Sequence, residues 1–370
     1  MKNTKFIIKT ISKSYPIYFG NNILSAVGKL IKKKLPDAKK ICIIADNKLP
    51  KLLLKRLIKP LKKYDLKICK LSVNEKTKSL KVANKIIEQL LKDNFNKSDC
   101  VIAFGGGVLG DLSAFISNLT KRGLKFVNIP TTLLAQVDAS IGGKTGINSN
   151  QGKNLIGTFY QPDFVLNDIS VLKSLPQREM ISGYGEILKH SLILDKKFFL
   201  WLSKHAKKII NLKNKNLLKN AIIRSCRIKS LIVNRDEKEQ NLRMILNFGH
   251  TFAHGLEGTK KFSKKLNHGE AVLLGMMLAS QLSYNKKLLS KKDFMLVKKH
   301  YLDLNLPMNI KKKFKKKEIN KIIYFMKKDK KNLNEKINLI LIKKIGKTTQ
   351  PNSFAVNSSE IKKFLTVQYI

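Results

Sequence analysis

Five short runs within the first 168 positions of this 370-residue chain constrain its fold most: ICIIAD (41–46), LKICKLSV (66–73), CVIAFGGG (100–107), LKFVNIP (124–130) and DFVLND (163–168). Several are apolar on both faces. Strands that hide both faces belong inside a parallel sheet covered by helices, whereas a half-exposed antiparallel strand alternates polar and apolar residues. Between two of the runs Leu80, Ala83, Ile86, Ile87, Leu90 and Leu91 recur at helical spacing, so strand and helix alternate and the first half is expected to be α/β. KFIIKTIS and YPIYFG near the start are expected to form an antiparallel edge hairpin.

After Pro176 the strand pattern fades. Helical periodicity takes over at 186–195, 197–210, 215–235, 243–258, 269–285 and 290–303. Two Lys-rich stretches, 204–220 and 311–331, keep apolar residues at helical spacing and read as surface helices. Pro and Gly in LPQREMISG punctuate the junction, and the chain is longer than the ~250–300 residues at which single cores stop growing. Two domains are therefore expected: an α/β domain over 1–178 and a mostly α-helical one over 179–370.

A formal charge of +49 makes nucleic acid the first partner to weigh, because a dense basic surface gains affinity by releasing counterions. Only seven of the 74 basic residues are Arg, however, and the Lys is spread with Asn and Ile over the whole length. Arg forks are what sequence readout favours. The charge is better explained by codons biased toward A and T, which leave a solvated Lys-rich surface, and no specific nucleic-acid partner is expected. Cys42, Cys69, Cys100 and Cys226 are widely spaced and form no CxxC pair, which fits a reduced, cytoplasmic chain. No apolar run approaches the ~18 residues of a membrane span, and the start shows no signal-peptide core.

The turn Gly105-Gly106-Gly107-Val108-Leu109-Gly110-Asp111 follows directly on the apolar run CVIAF. A strand, a glycine turn and a helix start present free N–H groups and a positive dipole end to a phosphate, and missing Cβ atoms let the backbone approach it. Glycine also serves plain tight turns, so the turn alone is a weak signal. Asp46, at the end of an earlier strand, suits a ribose hydroxyl, although an Asp that opens the next turn is the commoner case. A second cluster, Ile141-Gly142-Gly143-Lys144-Thr145-Gly146 followed by Gly152-Lys153-Asn154, embeds two Lys in glycine-rich backbone and favours phosphate over plain turns.

A different chemistry gathers in the second half. Glu186 and Lys189 stand in SGYGEILKH, Arg243, Asn247, His250 and His254 in LRMILNFGHTFAH, and His268 in NHGE. An open zinc site takes three protein ligands from His and carboxylate, so Glu186, His250 and His268 suffice and leave room for substrate. His250 and His254, four apart, share one helix face. Spacing does not decide whether His254 ligates, and Glu257 or Glu270 is an alternative to Glu186. Arg243 and Asn247, one helical turn apart, are expected beside the metal.

Taken together, EKTKSL, AFGGGVLGDLSAF, KRG, IPTTLLAQVDASIGGKTGIN, GKNLIGTFYQP, SGYGEILKH, LRMILNFGHTFAH, HGEAV and MKKDKK resemble the 3-dehydroquinate synthases, in order from about Tyr15 to Lys344. The resemblance implies a Rossmann-like NAD-binding domain and a helical metal-binding domain, with the active site in the cleft between them. It implies zinc or cobalt on Glu186, His250 and His268, which leaves His254 for substrate. NAD would lie along Asp46, Glu75, Lys78, Gly107, Val108, Leu109, Gly110, Asp111, Thr131, Thr132, Lys144, Lys153, Val171, Leu172, Lys173 and Ser174. The substrate phosphate would meet Lys144, Asn154, Asn247, His254, one Lys of the block Asp329-Lys330-Lys331 (Lys331 the candidate) and Arg122 from a second subunit, which implies a homodimer. Lys229 and Arg243 would take the substrate carboxylate, with Asp138 and Lys189 completing the polar lining and Glu239 a looser candidate.

The implied reaction converts 3-deoxy-D-arabino-heptulosonate 7-phosphate into 3-dehydroquinate and phosphate through transient oxidation by NAD, phosphate elimination, re-reduction and aldol cyclisation. Other sugar-phosphate cyclases and metal-dependent polyol dehydrogenases are the competing enzymes. A nucleic-acid binder, which needs neither metal nor cofactor, is the alternative from another class. Two positions depart from the family pattern: Gly185 where Ala is usual and Thr120 where Tyr is usual. The first loosens the ligand helix slightly, since Gly costs ~1 kcal/mol against Ala in a helix interior.

Overall fold

A computed structural model describes residues 4–263, 265–328 and 336–369. The two-faced apolar runs become a seven-stranded sheet. Its strands are β1 (Thr4–Lys9), β2 (Ser14–Gly20), β3 (Lys40–Asp46), β4 (Asp65–Leu71), β5 (Cys100–Gly105), β6 (Lys125–Pro130) and, after a separate antiparallel hairpin of β7 (Lys144–Ser149) and β8 (Gly152–Phe159), β9 (Phe164–Asp168). The order is β1-β2-β9-β6-β5-β3-β4. Only β1–β2 is antiparallel, as the expected edge hairpin; all other neighbours run parallel. Burial follows position: every residue of β5 and β9 is buried, while β4, at the edge, alternates. Helices α1 (Val27–Lys34), α2 (Lys51–Ile58), α3 (Leu80–Lys92) and α4 (Gly107–Leu119) connect these strands. Leu90, Ala83 and Ile86 of α3 pack with Leu109, Leu112 and Ile116 of α4 over Val101 and Ala103 of β5.

The second unit opens with α5 (Gln177–Leu194) and α6 (Lys196–Ile210); α7 (Lys215–Arg235) belongs to the first. α8 (His250–Thr259), α9 (His268–Asn285), α10 (Lys291–Asp303), α11 (Ile319–Lys327) and α12 (Ser358–Val367) complete it, with two small antiparallel strand pairs at 337–338/355–356 and 342–344/347–348. The architecture is thus a Rossmann-like α/β unit and a mostly helical unit. Among the described residues no helix is long and apolar enough to cross a membrane.

The expected single break between 178 and 179 needs correcting. The compact units are Met1–Pro176 with Asn214–Glu237, and Gln177–Lys213 with Lys238–Ile370. α7 joins the α/β unit because its buried stripe of Leu218, Ala221, Ile222, Cys226 and Val233 carries two polar anchors there. The Cys226 thiol donates to the Gln136 carbonyl at 3.2 Å, and Lys229 Nζ donates to the Asp138 carboxylate at 2.6 Å. Neither Lys-rich stretch is one helix: Asn214 caps α7 after a turn, and 310–318 holds two 3₁₀ turns before α11.

Candidate functional site

In the helical unit, three helices deliver one ligand atom each. Glu186 lies mid-way along α5, and His250 and His268 are the first residues of α8 and α9. One carboxylate oxygen and one ring nitrogen from each His all fall within 4.8 Å of one another. Each imidazole is oriented from behind. His250 Nδ1 lies 3.3 Å from the Phe248 carbonyl, and His268 Nδ1 lies 3.0 Å from Glu257 Oε2. With those oxygens accepting, the rings carry their protons on Nδ1 and keep the Nε2 lone pairs. His250 Nε2 faces Glu186 Oε1 at 3.7 Å. The Glu186 carboxylate is buried against the Lys189 ammonium, and beyond that contact its oxygens take no hydrogen bond from the described residues. Burial, with Lys189 and the other two His rings beside it, holds the His250 pKa well below the usual imidazole value, so the ring is neutral. Two imidazoles and a buried carboxylate short of donors are the donor set of a divalent cation site.

The expected helix over 243–258 does not form. Leu242–Asn247 is a 3₁₀ segment, and Gly249, at φ +78°, breaks the chain before α8. A Cβ there would meet the Met276 backbone nitrogen at 2.7 Å, so both the left-handed φ and the close approach require glycine. The break puts His250 at a helix start. His254 remains beside it, ring centroids 5.9 Å apart, but outside the three-ligand group. Arg243 is buried, and Asn247 Nδ2 donates to Glu239 Oε1 at 2.9 Å. Neither alternative carboxylate belongs to the group. Glu257 stands behind His268, and Glu270 closes the α9 capping box with Asn267 while Arg178 grips both its oxygens at 2.6 and 2.9 Å. At Gly185 an added Cβ would press on Leu273 Cγ at 3.2 Å, so Leu273 fills the space an alanine methyl would take.

In the α/β unit the glycine turn runs from β5 into α4, whose cap, Gly106, contributes no side-chain hydrogen bond to the helix start. Added Cβ atoms at Gly106 and Gly107 would touch Thr132 and Ala139 at 3.1 Å, so the helix start is held against the 131–139 turn. Thr131 is buried, and Thr132 Oγ1 caps Ala135 N at 3.1 Å. Gly110 lies over Asn128, and Val108 and Leu109 complete the first turn of α4. Lys78, nearly buried, bridges Asp111 at 2.7 Å and Asn154. Glu75 accepts from Asn148 at 2.9 Å and stands 3.7 Å from Lys153. Asp46 Oδ1 takes the Lys48 N–H at 3.0 Å, the turn-opening role. Val171 and Leu172 are buried in the 3₁₀ segment Ile169–Ser174, with Lys173 and Ser174 exposed on it.

The second glycine cluster forms a hairpin: Lys144 opens β7, Lys153 and Asn154 lie on β8, and Asn154 has φ +55°. Arg122 is exposed in a left-handed turn at φ +61°. Lys229, with its Asp138 partner, is in the α/β unit and Arg243 in the helical one. Lys330 and Lys331 lie outside the described residues. Two residues that order the site had no sequence reading as such. Asn148 ties Glu75 to the Asn154 backbone, accepting its N–H at 3.0 Å. Glu257 meets His268, and its spacing of seven from His250, two turns on the same face, was the available signal.

The fold and the cluster define a class. A structure of 2-deoxy-scyllo-inosose synthase complexed with carbaglucose-6-phosphate, NAD+ and Co2+ matches with TM-score 0.87 at 24% identity, covering 98% of this chain and 99% of that one. 2-epi-5-epi-valiolone synthase from Streptomyces hygroscopicus subsp. jinggangensis 5008, with NAD+ and Zn2+ bound, matches with TM-score 0.85 at 24% identity, over 96% and 97%. This chain has the fold of those cyclases. Family models for the 3-dehydroquinate synthase N-terminal and C-terminal parts match residues 68–182 and 183–332. 3-Dehydroquinate synthase from Pelagibacter ubique (strain HTCC1062) is 52% identical over 361 residues, 98% of this chain and 97% of that protein; the one from Alkaliphilus metalliredigens (strain QYMF) is 39% identical over 91% and 92%. The chain belongs to the 3-dehydroquinate synthase family.

Proposed function

We propose that this chain is a carbon–oxygen lyase that converts 3-deoxy-D-arabino-heptulosonate 7-phosphate into 3-dehydroquinate and phosphate. The observation that carries the reading is the convergence of Glu186, His250 and His268 in a chain 52% identical to a 3-dehydroquinate synthase over nearly its whole length. Those three residues would hold one zinc or cobalt ion, which when bound supplies Lewis-acid polarisation of substrate oxygens. NAD would lie along Asp46, Glu75, Lys78, Gly107 to Asp111, Thr131, Thr132, Lys144, Lys153 and Val171 to Ser174, and supplies reversible hydride acceptance.

The chain's own residues bind and orient a strongly anionic substrate. Lys144, Asn154, Asn247 and His254, with Arg122 of a second subunit, suit its phosphate; Lys229 and Arg243 suit its carboxylate, because an Arg fork grips two carboxylate oxygens at once. Asp138 holds Lys229 by its carboxylate and its carbonyl, at 2.6 and 2.8 Å, which fixes the ammonium in place. Lys78, between Asp111 and Asn154, ties the glycine-turn helix to the β7–β8 hairpin. Positioning, rather than one strong base, is then the protein's main contribution. A cytoplasmic homodimer is part of the reading.

The test is phosphate release from the heptulosonate phosphate with catalytic NAD and zinc. Phosphate should appear with no matching rise in reduced-nicotinamide absorbance. Stoichiometric NADH would instead indicate a dehydrogenase.

A further inference from the structure

We propose that Glu257 is a positioning residue that selects the tautomer of His268 and thereby sets the metal affinity of the site; the inference rests on the metal reading above. Three observations place it. Glu257 is on α8, seven residues after His250 and so on the same helix face, yet its partner is on α9: its Oε2 lies 3.0 Å from His268 Nδ1. Its side chain is 6% exposed, so the carboxylate is held in the interior against the ring. And the ligand atoms of Glu186, His250 and His268 converge on a side of the cluster to which Glu257 contributes none.

The two histidines are supported unequally. A neutral carbonyl, that of Phe248, stands 3.3 Å from His250 Nδ1, whereas a full carboxylate stands closer to His268 Nδ1. A charged acceptor makes the stronger hydrogen bond, holds the proton on Nδ1 more firmly and makes Nε2 a better donor to a cation. His268 also needs the support more. Both begin their helices, but His268 is 38% exposed against 13% for His250, so less packing restrains its ring. Glu257 therefore restrains the orientation of the His268 ring, as packing restrains that of His250.

The experiment measures zinc affinity by chelator competition in the unmodified chain, Glu257→Gln, Glu257→Leu and His268→Ala. It adds the visible absorption of the cobalt-loaded forms and thermal unfolding without metal. Glu257→Leu, which cannot accept a hydrogen bond, should weaken zinc binding by ~10–100-fold, the usual effect of losing such a partner, and should shift the cobalt bands. Glu257→Gln keeps an accepting oxygen without the charge and should recover most of the affinity. Equal zinc affinity in Glu257→Leu and the unmodified chain, with His268→Ala binding poorly, overturns the proposal while leaving the metal site intact. Loss of thermal stability in the Leu variant with unchanged affinity and cobalt bands overturns it too, since the ion pair would then be structural only. Undiminished zinc binding by His268→Ala would sink the metal reading itself, and this proposal with it. Should Glu257→Leu fail to fold, Glu257→Gln decides: altered cobalt bands and a smaller affinity loss support the role, and neither change refutes it.

Discussion

A Cβ added to Gly275 would fall 2.1 Å from the carbonyl oxygen of Gly249. α8 and α9 thus cross backbone to backbone, one residue before His250 and two turns after His268. The separation of the two imidazoles, 5.5 Å between ring centroids, depends on that contact.

Gly275→Ala should therefore destabilise the helical unit by about 1–3 kcal/mol, the usual cost of overpacking, because the obstacle is backbone that cannot swing aside. Zinc affinity should fall with it as the His pair spreads. Thermal unfolding in chelator and a zinc titration check both; an unshifted melting temperature would show that the helices separate freely.

His268→Ala should lose stoichiometric zinc, with a larger affinity loss than the ~10–100-fold of a supporting partner. His254→Ala should keep it, because His254 lies outside the three-ligand group. Metal analysis after dialysis is sufficient, and the reverse pattern would exchange the two assignments.

Arg243→Met should erode substrate choice while sparing metal content. Arg243 is buried and its planar fork suits a carboxylate, so a substrate without one forgoes a charge-assisted two-point contact, at a cost of about 3 kcal/mol or ~100-fold in kcat/KM. The unmodified chain should reject heptulose 7-phosphates that lack the carboxylate by roughly that factor, and the variant should not. Comparable kcat/KM for both substrates in the unmodified chain would move it to another branch of the cyclases.

Stability should fall between pH 6.5 and about 4 in a way that depends on His300. Burial pushes this imidazole from 6.5 down to about 4, and its Nε2 sits 2.7 Å from the Tyr184 hydroxyl. Across that window the unfolded chain binds a proton that the folded chain refuses. The contribution is therefore complete above pH 6.5 and is lost as pH falls, by up to about 3 kcal/mol. Denaturant unfolding at pH 7 and pH 4.5 should show a shallower loss in His300→Gln.

Cys69 should be the reactive thiol. The Cys42 thiol donates to it across 3.8 Å, which pulls its pKa down to about 7, while burial pushes Cys100 and Cys226 up. Iodoacetamide labelling followed by peptide mapping should find Cys69 first, with a rate that rises through pH 7. Preferential labelling of Cys42 would contradict it.

The parallel sheet was legible in the sequence because strands buried on both faces leave uninterrupted apolar runs, and β3, β5, β6 and β9 all come from such runs. The ligand types were legible too, since His and carboxylate in three nearby blocks have no apolar duty to perform. The β7–β8 hairpin was not. Gly146 and Gly157 face each other across it, and a Cβ on Gly157 would strike the Thr145 carbonyl at 2.2 Å, so its pairing depends on side chains being absent. Nor was the break at Gly249, because a glycine inside a helical pattern costs only ~1 kcal/mol and the pattern reads straight through it. An amphipathic stripe likewise says that α7 is buried on one side but not against which core. Sequence by itself determined which groups could bind metal and anion. Tertiary structure decided which of them meet, because His250 and His268 converge only where two glycine backbones touch, and Glu257 finds His268 only across the helix pair this contact holds together.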